Sequence, residues 1–232
     1  MKNQTTTNQG HFTTTALLSP LAALALLAAS GGSVLAAETT TAKPEESLRR
    51  LQDGNERFVA ETPTQTIKDA KRRAEVAQGQ KPFAIIVSCS DSRVGPEVVF
   101  DQGLGDIFVV RTAGHVVDDV GLGSIEYAVE HLGASLIMVL GHERCGAVAA
   151  TVAGGEAHGH VSAIVKAIKP AVTRTKGLPG DAVDNAVRAQ VLDVVGQLQK
   201  AGPVLAERVK AGKLKVAGAR YDLDTGRVEV IE

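Results

Sequence analysis

Three short apolar runs stand out in the pattern of hydrophobic and polar positions along the chain. They occupy residues 83–88 (FAIIVS), 106–111 (DIFVVR) and 135–140 (SLIMVL). Runs in which apolar residues are continuous, rather than alternating with polar ones, are typical of strands buried on both faces of a sheet. The pattern therefore predicts three buried β-strands.

Helical periodicity occupies much of the remaining chain. Residues 45–59 space Leu48, Leu51 and Phe58 along one face, which predicts an amphipathic helix. Further helices are predicted at residues 69–78, 121–132 and 162–169, near Arg144, and at 181–210 with an interruption at Gly202-Pro203.

The last two predicted strands, at residues 213–221 and 227–231, flank an Asp-Thr-Gly turn at 224–226 and form a hairpin. Buried strands that alternate with helices predict a parallel sheet with helices on both faces. The predicted fold class is therefore α/β, with a mostly parallel central β-sheet flanked by helices and a C-terminal antiparallel edge hairpin.

The N-terminal segment is not predicted to belong to this fold. A polar stretch is followed by an apolar run at residues 16–29 and by small residues typical of a signal-peptidase cleavage site. The run is too short for a membrane-spanning helix. We expect residues 1–37 to be a signal peptide, residues 38–44 a linker, and residues 45–232 a single domain. The mature protein is then periplasmic or secreted, with no membrane attachment after cleavage.

Both cysteines of the chain lie near the ends of predicted strands. Cys89 follows the first strand, and Cys145 comes three residues after His142, which follows the third. Because the carboxyl ends of parallel strands meet at one edge of a sheet, we expect these side chains to lie together. Two cysteines in an exported protein ordinarily suggest a disulfide. Two thiolates and an imidazole instead suit a zinc ion with one open coordination position, and this is the interpretation we favour.

The spacing within the two segments adds detail to this metal hypothesis. Cys89, Asp91 and Arg93 alternate by two and would point to one side of an extended segment. His142 and Cys145 are three residues apart, which suits the first turn of a helix. An aspartate and an arginine beside the first thiolate favour a catalytic metal over a structural one.

The composition argues against nucleic acid as a partner. Lysine and arginine number 25 against 26 acidic residues, so the net charge is −1, and the chain has no tryptophan. There is neither a basic excess to bind phosphates nor an aromatic platform on which bases would stack.

Four motifs in this order resemble those of the β-class carbonic anhydrases. They are GNERF at 54–58 with Leu51 before it, CSDSRV at 89–94, GSIEYA at 123–128 and GHERCG at 141–146. The resemblance implies the family's reaction, the reversible hydration of carbon dioxide to bicarbonate and a proton by zinc-bound hydroxide. Two alternatives stay open: hydrolysis of carbon disulfide or carbonyl sulfide on the same site, and a zinc-binding protein without catalytic activity.

By this resemblance, Cys89, His142 and Cys145 bind one Zn²⁺ per subunit, and Asp91 and Arg93 form the family's catalytic dyad. In the open form, Asp91 accepts a hydrogen bond from the hydroxide while Arg93 holds the carboxylate off the metal. In a closed form, Asp91 becomes the fourth ligand. The closed subtype usually carries a tryptophan in its regulatory pocket, and this chain has none. We therefore expect the open, plant-like form.

The resemblance also implies a substrate site and an assembly. Gln80 corresponds to a glutamine that hydrogen-bonds substrate, Phe108 and Tyr127 match an apolar pocket for carbon dioxide, and the Gly146 amide matches a backbone donor. Family members typically form homodimers or homotetramers, with the N-terminal helix (residues 45–59 here) packed across a partner. In such dimers Gln80 can serve the partner subunit's active site.

Two residues depart from the family pattern. Ala113 stands where plant-like members often have valine, which would widen the pocket slightly. His115 stands where asparagine is common, and a histidine near the pocket could relay protons because its pKa suits that task. The alternative is a solvent-exposed or hydrogen-bonded loop histidine.

Overall fold

The computed structural model describes residues 42–64 and 69–231, so the predicted signal peptide lies outside the described residues. The strands are β1 (Ala84–Cys89), β2 (Ile107–Thr112), β3 (Leu136–His142), β4 (Lys215–Tyr221) and β5 (Val228–Ile231). The helices are α1 (Pro44–Val59), α2 (Ala70–Val76), α3 (Pro96–Val99), α4 (Asp119–His131), α5 (Gly146–Ala153), α6 (Val161–Thr175), α7 (Ala182–Lys200) and α8 (Val204–Lys210), with a 3₁₀ turn at Ala113–His115.

The five strands form one sheet in the order β2-β1-β3-β4-β5. β1 pairs in parallel with both β2 and β3, and β4 is parallel to β3. β5 returns antiparallel to β4 at the edge. This arrangement confirms the predicted α/β class with its antiparallel edge hairpin.

Alternate residues of the central strands pack against opposite helix layers, which explains why the runs are apolar throughout. Ile85 and Val87 belong to a core with α4, α7 and α8, whereas Ala84 and Ile86 belong to a core that includes Leu51 of α1. A third apolar cluster, which includes Ile168 of α6, surrounds the two cysteines at the carboxyl edge of the sheet. The candidate site thus rests on rigid elements.

The helices differ from the predictions at several ends. α1 begins at Pro44, one residue earlier than predicted, because proline suits the first turn of a helix. α6 extends to Thr175 through Pro170, where the prediction ended at 169; a proline within a helix removes one backbone donor, and here the helix continues. The short helix α3 was not predicted. In the described ranges, no helix is long and apolar enough to cross a membrane.

Gly54 allows α1 to approach the loop after α3 closely. A Cβ at this position would lie 1.9 Å from the carbonyl oxygen of Phe100. We expect Gly54→Ala to lower the free energy of unfolding by roughly 1–3 kcal/mol, because the backbone must shift to remove the clash. Urea unfolding of the zinc-free protein measures this change.

Gly196→Ala is the matched control, since Gly196 is also helical but its Cβ would meet no atom within 4 Å. This variant should be neutral or more stable by about 0.5–1 kcal/mol, because alanine loses less backbone entropy in a helix than glycine. Equal stability of the two variants would contradict the close packing of α1.

Candidate metal centre

Two neighbouring parallel strands place the first two candidate ligands at one edge of the sheet. Cys89 is the last residue of β1 and His142 the last residue of β3. After β3 the chain turns at Arg144, whose φ of +49° is left-handed, and Cys145 caps α5. The predicted helical turn for His142 and Cys145 is therefore wrong, because β3 includes His142 and α5 begins only at Gly146. The prediction that Cys89 lies close to His142 and Cys145 is confirmed.

The three side chains converge in a buried cluster. Single ligand atoms of Cys89, His142 and Cys145 all lie within 4.8 Å of one another. The side chains are almost inaccessible, with exposed fractions of 5%, 0% and 0%. The two sulfurs are 4.0 Å apart, about twice the length of a disulfide bond, and both cysteines are free. This arrangement suits a shared metal ion rather than a disulfide.

The imidazole of His142 is oriented for metal binding. Its Nδ1 donates a hydrogen bond to the carbonyl oxygen of Glu143 at 2.8 Å, which leaves Nε2 with a free lone pair. Nε2 is buried and has no hydrogen-bond partner among the described residues. A buried polar atom without a partner is unfavourable. Because Nε2 lies close to both sulfurs, a cation bound between these three atoms would give it a partner. The donor set of two thiolates and an imidazole fits zinc.

The two thiols have opposite electrostatic situations in the metal-free chain. The hydrogen bond from Cys145 and the N–H of Gly114, 3.3 Å from Sγ, lower the pKa of the Cys89 thiol well below its usual range despite its burial. The hydrogen bond that Cys145 makes with Cys89, together with the burial of Cys145, raises the pKa of the Cys145 thiol. The proton between the two sulfurs is therefore held by Cys145, which donates it to the Cys89 thiolate, and a metal ion that binds both sulfurs as thiolates displaces it.

Asp91 and Arg93 form a two-armed ion pair directly after β1. Arg93 donates from Nε to Asp91 Oδ1 at 2.9 Å and from Nη2 to Oδ2 at 2.8 Å. The segment is a turn, since Val94 N–H donates to the Asp91 carbonyl oxygen, so the predicted extended alternation is wrong. The Arg93 guanidinium beside Asp91 holds the pKa of that carboxyl well below its usual range.

The Asp91 carboxylate lies next to the cluster without joining it. Its Oδ2 is 3.7 Å from His142 Nε2, but the carboxylate is not part of the group of three mutually close ligand atoms. Both carboxylate oxygens are occupied by Arg93. The carboxylate is thus positioned to accept a hydrogen bond from a group near Nε2.

Arg111, which the sequence analysis did not select, holds the loop that carries the dyad. Its guanidinium donates to the carbonyl oxygens of Cys89 at 2.9 Å, Asp91 at 2.7 Å and Val94 at 2.8 Å. These three bonds fix the turn between the first thiol and the ion pair. A lone arginine at the end of a buried apolar run was the available sequence signal.

Of the predicted substrate-binding residues, Gly146 adjoins the cluster, whereas Gln80 and Phe108 lie away from it in the same chain. Gly146 follows Cys145 directly as the first residue of α5. Gln80 precedes β1, whose length alone separates it from Cys89 by roughly 17 Å. Phe108 pairs with Ile85, four residues before Cys89 on β1.

Tyr127 lies on α4, where its side chain is 49% exposed and its ring contacts that of His131. Gln80 and Phe108 are thus separated from the cluster along β1 and β2 of their own chain. The roles of Gln80, Phe108 and Tyr127 stay predictions.

His115 is neither solvent-exposed nor hydrogen-bonded, contrary to one of the two expectations. Its side chain is 0% exposed, and neither ring nitrogen has a partner among the described residues. Burial lowers its pKa to about 4, so the ring is neutral at physiological pH. A buried imidazole with this pKa is poorly suited to relaying protons near neutral pH.

Comparison with known proteins identifies the family. A family model described as carbonic anhydrase matches residues 84–228. Carbonic anhydrase 2 of Mycobacterium tuberculosis is 46% identical over 190 residues, covering 79% of this chain and 91% of the relative. The carbonic anhydrase of Mycolicibacterium smegmatis is 44% identical over 193 residues, covering 82% of this chain and 94% of the relative.

Solved structures agree with this assignment and specify the class. The Coccomyxa β-carbonic anhydrase in complex with acetazolamide has a TM-score of 0.63 at 28% identity, covering 79% of this chain and 86% of that one. One of two tetrameric β-carbonic anhydrases from Sordaria macrospora has a TM-score of 0.61 at 26% identity, covering 68% and 85%. The resemblance seen in the motifs is thereby confirmed: the chain belongs to the β-carbonic anhydrase family and is a carbonate dehydratase.

Proposed function

We propose that this enzyme hydrates carbon dioxide reversibly to bicarbonate and a proton, with one Zn²⁺ per subunit held by Cys89, His142 and Cys145. The observation that carries the proposal is the buried Cys-His-Cys cluster, with an unpartnered His142 Nε2, beside the Asp91–Arg93 ion pair. Zinc in a three-ligand site lowers the pKa of a water molecule and so supplies hydroxide near neutral pH.

The pair of Asp91 and Arg93 would orient the hydroxide that the zinc ion supplies. The pKa of Asp91 is depressed, so its carboxylate stays ionised even through the pH range in which an ordinary aspartate becomes protonated, and it loses its charge only in stronger acid. It therefore acts as a hydrogen-bond acceptor at every working pH. Arg93 holds this carboxylate in place and away from the ligand cluster, which favours the open form.

Two thiolates donate more charge to a zinc ion than imidazoles do, so the pKa of a zinc-bound water molecule would be higher here than in a site with three imidazoles. We therefore expect turnover to rise toward alkaline pH. Asp91 does not account for that rise, since it is already ionised. The Gly146 amide adjoins the cluster and is available as a donor to bicarbonate.

The complete substrate pocket requires a homo-oligomer, a dimer or a pair of dimers. Gln80 and Phe108 lie away from the cluster of their own chain, and α4 exposes the side chains of Val120 and Tyr127. The Sordaria macrospora relatives are tetrameric, which supports this assembly. The predicted signal peptide at residues 1–37 supports a periplasmic or secreted enzyme, and N-terminal sequencing of the exported protein tests it.

A comparison of substrates tests the proposed activity. Carbon dioxide hydration, carbon disulfide hydrolysis and carbonyl sulfide hydrolysis are measured on one sample whose zinc content is known. We expect rapid hydration of carbon dioxide, with hydrolysis of the sulfur compounds at least tenfold slower. Hydrolysis that exceeds hydration would assign the other reaction to this site, and a zinc-loaded protein inert toward all three would indicate a silent zinc-binding protein.

A further inference from the structure

Glu143 links the metal centre to the C-terminal hairpin. Its carbonyl oxygen accepts the hydrogen bond from His142 Nδ1 at 2.8 Å. The direction of the imidazole, and hence of Nε2, therefore depends on where the Glu143 peptide group lies. Any group that fixes Glu143 also fixes the ring.

Three hydrogen bonds with the hairpin hold Glu143, one that it donates and two that it accepts. Its N–H donates to the carbonyl oxygen of Tyr221 at 3.0 Å. Its side-chain Oε2 accepts from the N–H of Leu223 at 3.0 Å, and its Oε1 accepts from Arg220 Nη2 at 2.6 Å. The backbone and both carboxylate oxygens are thus anchored to the end of β4 and the residues that follow it.

Arg220 is the centre of this anchorage. Its side chain is only 12% exposed and lies between the carboxylates of Glu143 and Asp184, with Asp222 3.5 Å away. Asp184 lies in the first turn of α7, so the guanidinium joins β4, α7 and the loop after β3. Asp184 has a second cationic partner in Arg188 at 3.0 Å, whereas the other cation near Glu143, Arg144, lies 3.7 Å from its carboxylate. Loss of the Arg220 guanidinium therefore removes the closest cation from the Glu143 carboxylate.

We propose that Arg220, acting through Glu143, is a positioning residue for the zinc ligand His142. This inference rests on the proposed zinc-dependent function, since it assigns a role toward that metal. Mutation of a group that orients a metal-bound histidine typically lowers the metal affinity about 10–100-fold. Arg220 does not contact the ligand atoms, so it acts by holding the Glu143 carbonyl oxygen where it accepts the hydrogen bond from His142 Nδ1.

Zinc affinity and ligand geometry test this role. The dissociation constant is measured by competition with a chromophoric chelator, and the Co²⁺-substituted protein reports ligand geometry through its visible absorption bands. We expect Arg220→Gln to weaken zinc binding about 10–100-fold and to shift the cobalt bands. Glu143→Ala should do the same, while Glu143→Gln, which retains an acceptor oxygen for Leu223 or Arg220, should lie between it and the wild type.

Arg174→Gln is the matched control. Arg174 pairs with Asp193 at 2.7 Å on the α6–α7 surface, and its side chain is 53% exposed. The same substitution there should leave zinc affinity and the cobalt spectrum unchanged. If Arg220→Gln does not fold, Arg220→Lys replaces it; lysine keeps the charge but lacks the fork, and a partial loss of affinity is expected.

The outcomes separate this inference from the function on which it rests. A wild-type chain that binds no zinc overturns the proposed function. A wild-type chain that binds zinc, with Arg220 and Glu143 variants of equal affinity and unchanged cobalt bands, overturns the positioning role alone. Urea unfolding of the zinc-free variants measures any general loss of stability. Such a loss by itself would leave the cobalt bands of the folded fraction unshifted, whereas a misplaced His142 would shift them.

Discussion

Cys145→Ala is expected to bind no zinc and to hydrate carbon dioxide at the uncatalysed rate. The substitution removes one of three buried ligand atoms and leaves a cavity beside Cys89 and His142. Two remaining ligands do not make the tetrahedral three-ligand site that catalytic zinc requires. Zinc content by mass spectrometry and hydration by stopped flow, measured on the same sample, check this result.

Chelator-treated wild type is the matched control for this variant. Added zinc should restore hydration to the wild type but not to Cys145→Ala. A variant that retains stoichiometric zinc and full turnover would remove Cys145 from the ligand set.

Asp91→Ala is expected to keep its zinc and to lose turnover by about 10²–10³-fold, the typical cost of removing one hydrogen-bonding group that orients or stabilises the reacting atoms. The carboxylate is outside the three-ligand group, so binding of the metal does not depend on it. Its loss removes the acceptor 3.7 Å from His142 Nε2 and leaves Arg93 without its partner. Zinc stoichiometry and stopped-flow hydration together measure both parts of the prediction.

Asp193→Ala is a suitable control, because Asp193 forms a comparable ion pair with Arg174 on the surface. It should leave both zinc and turnover unchanged. Full turnover in Asp91→Ala would remove the dyad from the mechanism, and loss of zinc would indicate that Asp91 is itself a ligand.

The sheet and the proximity of the three candidate ligands were predictable because they depend on local signals. Continuous apolar runs indicate buried parallel strands, and parallel strands end at one edge. Cys89 and His142 follow two such runs, so their proximity did not depend on knowledge of distant contacts. The strands include one ligand each rather than ending just before it, which changes the element boundary but not the position of the site.

The local geometry between the ligands was less predictable. The turn after Cys89 depends on Arg111, which is 20 residues from Asp91 in the chain and donates to its carbonyl oxygen. The anchorage of Glu143 depends on Arg220, 77 residues away. No periodicity links such pairs. The burial of His115 likewise follows from the packing of several elements, not from its neighbours in the sequence.

The substrate pocket was not predictable from one chain for a different reason. Gln80 and Phe108 are matched to the family by their positions in the sequence, yet one chain places them away from its own candidate ligands. In the proposed homo-oligomer, their grouping with the candidate ligands would depend on an interface between subunits. A pattern within one chain contains no direct record of that interface.

Zinc titration of chelator-treated wild-type protein, followed by stopped-flow carbon dioxide hydration at pH 7 and pH 8.5, tests the central claim most directly. We predict that turnover rises in proportion to bound zinc, reaches a plateau at one zinc per chain and is faster at pH 8.5. Turnover without zinc, or stoichiometric zinc with no turnover at either pH, would contradict the assignment of Cys89, His142 and Cys145 as a catalytic zinc site.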